Sequence, residues 1–205
     1  MSQDLFNGTN GTSLSTHDAN WTAVNSSAIA QIQSNNARPN STYNYCHQYY
    51  NGSQQNYSEV TLAAQTTGNA EHRGVSIYST GAQYGYVFHH SAVTGSNFTA
   101  AVLEKNGSWV ASSSAYTQAY GSAHTLRVTY TGGHAYGFVA GTQQLDYTDA
   151  SPPSAGYDGF FTWAQATLDA DLDVQDWTNG AAAGGNIISV NMSGGMQQLT
   201  GGING

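Results

Sequence analysis

Apolar and polar residues alternate with a period of two in one short run after another along this chain. The runs are AIAQIQ (28–33), YNYCHQYY (43–50), YSEVTLAAQ (57–65), RGVSIYS (73–79), YGYVFHH (84–90), FTAAVLEK (98–105) and SWVASSS (108–114). They continue through HTLRVTYTGGHAYGFVAGTQQLDYTD (124–149), a Pro152-Pro153 loop, GFFTWAQATL (159–168) and a last run around DADLDVQDW (169–177). Successive strand side chains point to opposite faces, so each run predicts a strand with one buried face. Asn-Gly pairs at Asn51-Gly52 and Asn106-Gly107, and glycines at Gly132-Gly133 and Gly141, supply turns between runs. Nowhere do apolar residues recur at helical spacing with caps, so no helix is expected. Many short strands at even spacing predict an all-β sandwich or barrel.

Two regions follow from this texture. Residues 1–178 form the expected β-sandwich domain. Residues 179–205 are a Gly-rich tail with the spaced apolar residues Ile187, Ile188, Met192, Met196, Leu199 and Ile203. Such a tail cannot bury enough apolar surface alone to offset its ordering entropy. It is expected to anchor or assemble the domain by threading along a partner, either another protein or a copy of the chain.

Composition narrows the function. Only 8% of the 205 residues are charged, the formal net charge is −8, and Lys105 is the sole lysine. With so few cations the chain has no means to neutralise a run of phosphates, so nucleic acid is not an expected partner. Anionic lipid is disfavoured for the same reason, and no apolar run reaches membrane-spanning length. A surface built from Tyr, Asn, Gln, Ser and Thr suits an extracellular or virion-exposed protein. Cys46 has no second cysteine to pair with. The opening MSQDLFNGTNG lacks the basic and apolar regions of an export signal, which favours a virion component released by lysis. Asn-X-Ser/Thr acceptors occur at ten positions, four of which are Asn-Gly turns that need no glycan to explain them.

The order of the segments resembles the concanavalin A-like lectin/glucanase jelly roll, in the laminin-G-like form found in bacteriophage virion surface proteins. DLFNGTNGTSLSTHDANW is similar to its opening strand and loop, and FTAAVLEKNGSWVASSS to its central hairpin. The 124–149 ribbon is similar to its glycine-turned strand pair, and SAGYDGFF with DADLDVQDW to the last strand that returns beside the first. The resemblance implies an antiparallel two-sheet jelly roll. It also implies a structural calcium where first and last strands meet, for which Asp4, Asp169, Asp171 and Asp173 are the oxygen-bearing candidates. No cofactor is otherwise required.

Three chemistries bear on these residues. Asp171-Leu-Asp173-Val-Gln-Asp176 imitates the carboxylate spacing of related polysaccharide-cleaving enzymes, but with Asp for Glu and on the closing strand, so no catalytic residue is assigned. His89 and His90 are neighbours on a strand and face opposite ways, so they do not form a zinc pair. Sugar binding needs an exposed aromatic platform with polar groups nearby. Tyr84, Tyr86, His89, Trp109 and Trp163 are singled out for it, with Tyr43, Tyr45, Tyr49 and Tyr50 as further aromatic candidates. Alternation places Tyr84, Tyr86 and Phe88 on one face and Val87 and His89 on the other. The leading expectation is a phage virion surface protein, in a capsid decoration or a tail fibre, whose lectin-like domain binds host or environmental polysaccharide. The alternative is an extracellular carbohydrate-binding module. A polysaccharide-cleaving enzyme stands third.

Overall fold

The structure is a computed structural model. It describes residues 2–24, 29–41, 45–52, 56–65, 72–94, 97–113, 117–119, 121–163 and 173–179. The tail from 180 onward, with the assembly contacts expected of Ile187, Ile188, Met192, Met196, Leu199 and Ile203, lies outside the described residues, as do Tyr43, Asp169 and Asp171.

Sixteen strands and one single-turn helix are described. The strands are β1 (Ser2–Asp4), β2 (Trp21–Ala23), β3 (Ala30–Gln33), β4 (Asn36–Pro39), β5 (Tyr45–Tyr50), β6 (Tyr57–Leu62), β7 (His72–Ser79) and β8 (Tyr86–Thr94). They continue with β9 (Asn97–Lys105), β10 (Ser108–Ser113), β11 (Gln118–Ala119), β12 (His124–Thr131), β13 (His134–Val139), β14 (Thr142–Thr148), β15 (Tyr157–Trp163) and β16 (Val174–Asn179). Helix α1 (Leu14–His17) is capped by the Ser13 hydroxyl, which accepts from the Thr16 amide.

Two antiparallel sheets face each other as a jelly-roll sandwich. The first runs β14-β13-β12-β6-β16-β4-β3, with β1 also on β16. The second runs β10-β9-β8-β7-β15-β5-β2, with β11 also on β9. The first and last strands pair as the resemblance implied, Asp4 opposite Trp177. Alternation sorts side chains as the period-two pattern requires. In β6, Ser58, Val60 and Leu62 are buried while Tyr57, Glu59 and Thr61 are half-exposed. The core joins both sheets through Phe6, Trp21, Phe160 and Trp177, with ring centroids 4.8 Å apart for Trp21–Trp177 and 5.3 Å for Trp21–Phe160. Their indole donors are satisfied: Trp21 donates to Asp4 Oδ2 at 2.7 Å and Trp177 to Ser58 Oγ at 2.9 Å.

The ribbon 124–149 is a three-stranded meander at one edge of the first sheet. Its turns are Gly132-Gly133 (φ 58° and 86°) and Ala140-Gly141 (φ 48° and 78°), the left-handed conformations that two-residue hairpins demand. Asn106-Gly107 makes the same turn between β9 and β10. Asn51-Gly52 does not. β5 and β6 lie in opposite sheets, because both alternating runs bury a face in the shared core and the chain crosses between the sheets. Strand β4 was not foreseen: NARP has no β-branched residue and ends in proline, yet the Ser34-Asn35 turn (φ 54° and 59°) folds it back on β3.

Candidate functional site

The outward face of the second sheet carries the site. On β5 the outward residues are Tyr45, His47 and Tyr49, while Cys46 between them is fully buried in the core. On β15, Phe161 and Trp163 face outward and Phe160 inward, and on β8 Val87 and His89 face outward while Tyr86 and Phe88 are core. Glu104 of β9 and Trp109 of β10 complete the surface, brought together by the Asn106-Gly107 turn.

A cleft of about 300 Å³ is lined by Tyr45, His47, Tyr84, Val87, Glu104, Gly107, Trp109 and Phe161. Tyr45 and Trp109 are the most exposed large rings of the described residues, at 56% and 64%. Tyr45 lies 5.6 Å from Phe161 and stacks at 6.2 Å on Trp163, which meets His72 edge-on at 5.0 Å. Tyr84 stacks on His47 at 5.4 Å. The outward rings are spread over the strands from β10, which carries Trp109, to β5, which carries Tyr45, five intervals apart in the sheet.

The polar groups of the cleft are few and fixed. Glu104 Oε1 accepts from Trp109 Nε1 at 2.9 Å and from His89 Nε2 at 3.1 Å. Burial raises the Glu104 carboxyl, but these hydrogen bonds and the adjacent imidazoles outweigh it and hold the group below its ordinary value. Both bonds fall on Oε1, Oε2 takes part in none, and the Glu104 side chain is 22% exposed. His89 is 2% exposed, and its Nδ1 lies 2.7 Å from the His90 carbonyl. Both ring nitrogens thus lie within hydrogen-bond distance of an oxygen. His72 Nδ1, 3.2 Å from His89 Nδ1, fits as a further acceptor, and burial lowers His72 to about 4. His47 is lowered to about 3 by burial and meets the Ser76 and Ser79 hydroxyls at 2.8 and 3.0 Å.

Of the five residues singled out from sequence, Tyr84 and Trp109 line the cleft. His89 hydrogen-bonds Glu104, and Trp163 lies directly opposite Tyr45 on the neighbouring strand. Tyr86 does not belong to it. It is fully buried, hydrogen-bonds Asp149, and is held above its ordinary value by burial and that carboxylate. The reason is Gly85, whose φ of 63° breaks the alternation so that Tyr84 and Tyr86 part company. A Cβ there would lie 2.1 Å from the Ile77 carbonyl oxygen, so glycine is required. Tyr50 turns inward against Trp21 and Trp177. Glu104, Phe161 and His47 were not singled out. The signal that would have found Glu104 is its place two residues before the Asn106-Gly107 turn, across from Trp109.

The calcium candidates do not converge as far as they are described. Asp4 accepts from the Phe6 amide, Trp21 and His17, and Asp173 is bound by Arg38 and Asn36. Asp4 sits opposite Trp177 while Asp173 precedes β16, which separates them by about 13 Å along the strand. No group of three or more His, Cys, Asp or Glu able to hold a metal occurs among the described residues. His89 and His90 face opposite ways, and His90 meets His124 on the inner side with Nε2 atoms 2.8 Å apart.

No protein-family model matches the chain, and no curated protein matches it in sequence. Solved structures do match in fold. A carbohydrate binding module, CBM66 from Bacillus subtilis, aligns with TM-score 0.56 at 15% identity over 78% of this chain and 92% of that one. The carbohydrate recognition domain of Emp46p, in a potassium-bound form, aligns with TM-score 0.54 at 9% identity over 85% and 93%. A Bacillus licheniformis beta-glucanase aligns with TM-score 0.50 at 15% identity over 86% and 95%. The chain therefore has the galectin-like, concanavalin A-like jelly-roll fold.

Proposed function

We propose that the domain is a carbohydrate-binding module whose ligand lies in the cleft across the second sheet. One observation carries this reading: exposed rings, Tyr45 and Trp109, line one cleft together with a carboxylate, Glu104, whose hydrogen bonds all fall on one oxygen. Sugars present apolar C–H faces to aromatic rings and hydroxyls to fixed acceptors, and this surface offers both at contact distance. The fold's relatives named for carbohydrate binding and recognition support it, although a fold by itself hosts many functions.

The reading is binding without cleavage. Glycoside hydrolysis uses two carboxyl groups roughly 5 to 9.5 Å apart. Glu104 is the sole carboxylate among the described residues lining the cleft, and Asp173 of the imitated motif is engaged with Arg38. The expected virion surface location, with tail contacts to other virion proteins or to copies of the chain, draws nothing from these relatives. The extracellular carbohydrate-binding alternative is the one carried forward, with the tail beyond 179 as its proposed attachment segment.

Affinity electrophoresis against soluble neutral polysaccharides tests the proposal. At least one polymer is expected to retard the wild-type protein. Trp109→Ala is expected to weaken that binding by about tenfold or more, since exposed Trp anchors commonly carry over 1 kcal/mol. Its thermal midpoint should stay unchanged, because the ring is largely exposed. A wild-type protein retarded by no polymer ends this reading.

A further inference from the structure

We infer that the cleft selects uncharged sugars against acidic ones, and that Glu104 is the residue that selects. The inference rests on the reading of the cleft as a glycan site. Two donors, from His89 and Trp109, converge on Oε1 of Glu104, a cleft-lining residue, and leave Oε2 without a hydrogen bond. A neutral ligand can donate a hydroxyl to that oxygen. A uronate or sulfate set against the rings would bring an anion beside a carboxylate inside a partly enclosed, low-dielectric cleft.

Among the described residues no Lys or Arg is placed to relieve that repulsion. There are four Lys and Arg residues in all, and each is committed elsewhere. Lys105 is 2.7 Å from both the Asp149 carboxylate and the Ser151 carbonyl. Arg38 pairs with Asp173, and Arg73 is buried between the sheets on the carbonyls of Ala63 and Asp173. Arg127 lies on the outer face of the opposite sheet, 4.0 Å over the Phe138 ring. The imidazoles near the cleft do not substitute for them. Burial keeps His47 and His72 neutral at pH 7, and His89 is covered and bound to Glu104 itself. The net charge of −8 acts in the same direction at long range.

The experiment starts from a neutral polysaccharide that the wild type binds, and compares it with the same polymer after its primary hydroxyls are oxidised to carboxylates. Affinity at low salt is expected to fall by at least about tenfold on oxidation. Glu104→Gln, which keeps an acceptor and removes the charge, should narrow that ratio toward one. Raising the salt from about 0.02 M to about 0.5 M should narrow it for the wild type as well, because screening weakens repulsion and leaves stacking intact. The salt arm needs no variant and tests the repulsion itself, while Glu104→Gln, or Glu104→Ala where the first folds poorly, assigns it to this residue rather than to the net charge. An oxidised polymer that binds as tightly as its parent overturns the inference and leaves the glycan site standing. So does a ratio that neither salt nor Glu104→Gln changes, which would assign the loss to the missing hydroxyl. If no neutral polymer binds, the glycan reading falls and this inference falls with it.

Discussion

Stability of the domain is expected to peak near pH 7 and to fall on both sides, with the alkaline fall starting from one buried acid. Asp158 of β15 is 1% exposed, and neither of its oxygens has a hydrogen-bond partner. Burial pushes its carboxyl up to about 9, against an ordinary 3.8. Between those values the folded chain holds a proton that the unfolded chain has released. The stability it contributes is therefore complete below about pH 4 and is lost as pH rises toward 9, at about 1.4 kcal/mol per unit.

The histidines act with the opposite sign. Burial lowers His47 to about 3 and His72 to about 4, and it also lowers His90 and His124. Below their ordinary 6.5 the unfolded chain takes up protons that the folded chain refuses, so stability falls with falling pH. Four imidazoles outweigh one carboxyl there, and stability rises with pH up to about 7, where the unfolded histidines hold about one proton between them. Above it Asp158 dominates until Cys46, pushed up to about 12 by burial, adds to the decline beyond pH 9. Denaturant midpoints followed from pH 5 to 9 should show this maximum. Asp158→Asn, which keeps the shape and cannot ionise, should flatten the limb between 7 and 9. A variant that keeps the full alkaline limb would show that another group causes it.

Asp173→Ala is expected to destabilise the fold by roughly 3–5 kcal/mol. Arg38 Nε and Nη2 donate to its two oxygens at 2.6 and 3.0 Å, and Asn36 adds a bond at 3.0 Å. Burial raises the Asp173 carboxyl and Arg38 lowers it, with burial the larger effect. The pair is thus costly to bury, and more costly to break, because removing one partner strands the other's charge. Its position sharpens the effect. β4 joins β16 through one ladder pair, Val174 with Ala37, so this ion pair reinforces a short stretch of ladder between the β3–β4 hairpin and the sheet. Urea unfolding at pH 6.5 measures the loss. The double substitution Arg38→Met with Asp173→Leu should recover most of it, since a matched apolar pair leaves no charge unpaired. A single variant within about 1 kcal/mol of wild type would show that the pair is solvated and of little account.

Much of this architecture is legible along the chain. The runs 57–65, 98–105 and 124–149 become strands with the faces that alternation assigns. The Asn106-Gly107, Gly132-Gly133 and Gly141 turns fall where the glycines stand, and the last strand returns to the first. These outcomes are local: a period of two with one apolar face, closed by residues that tolerate positive φ, leaves few other choices. The site is legible only in part. Trp109, Tyr84 and Trp163 could be named as aromatics of strand-like runs. Tyr86 could not be told from Tyr84, because the residue that separates them is a glycine whose conformation depends on the close approach of the Ile77 carbonyl.

What the sequence determined by itself is the class of the fold, most of its strands and the near absence of cations, because these depend on composition and on neighbours one or two positions apart. The tertiary structure decided which face of each strand is wet and which strands share a sheet. It separated β5 from β6 across an apparent hairpin signal. It placed Glu104 against both Trp109 and His89, and it left Asp158 without a partner. Each of those outcomes depends on residues far apart in the chain meeting across a sheet, and no local pattern records which distant residue a side chain will meet.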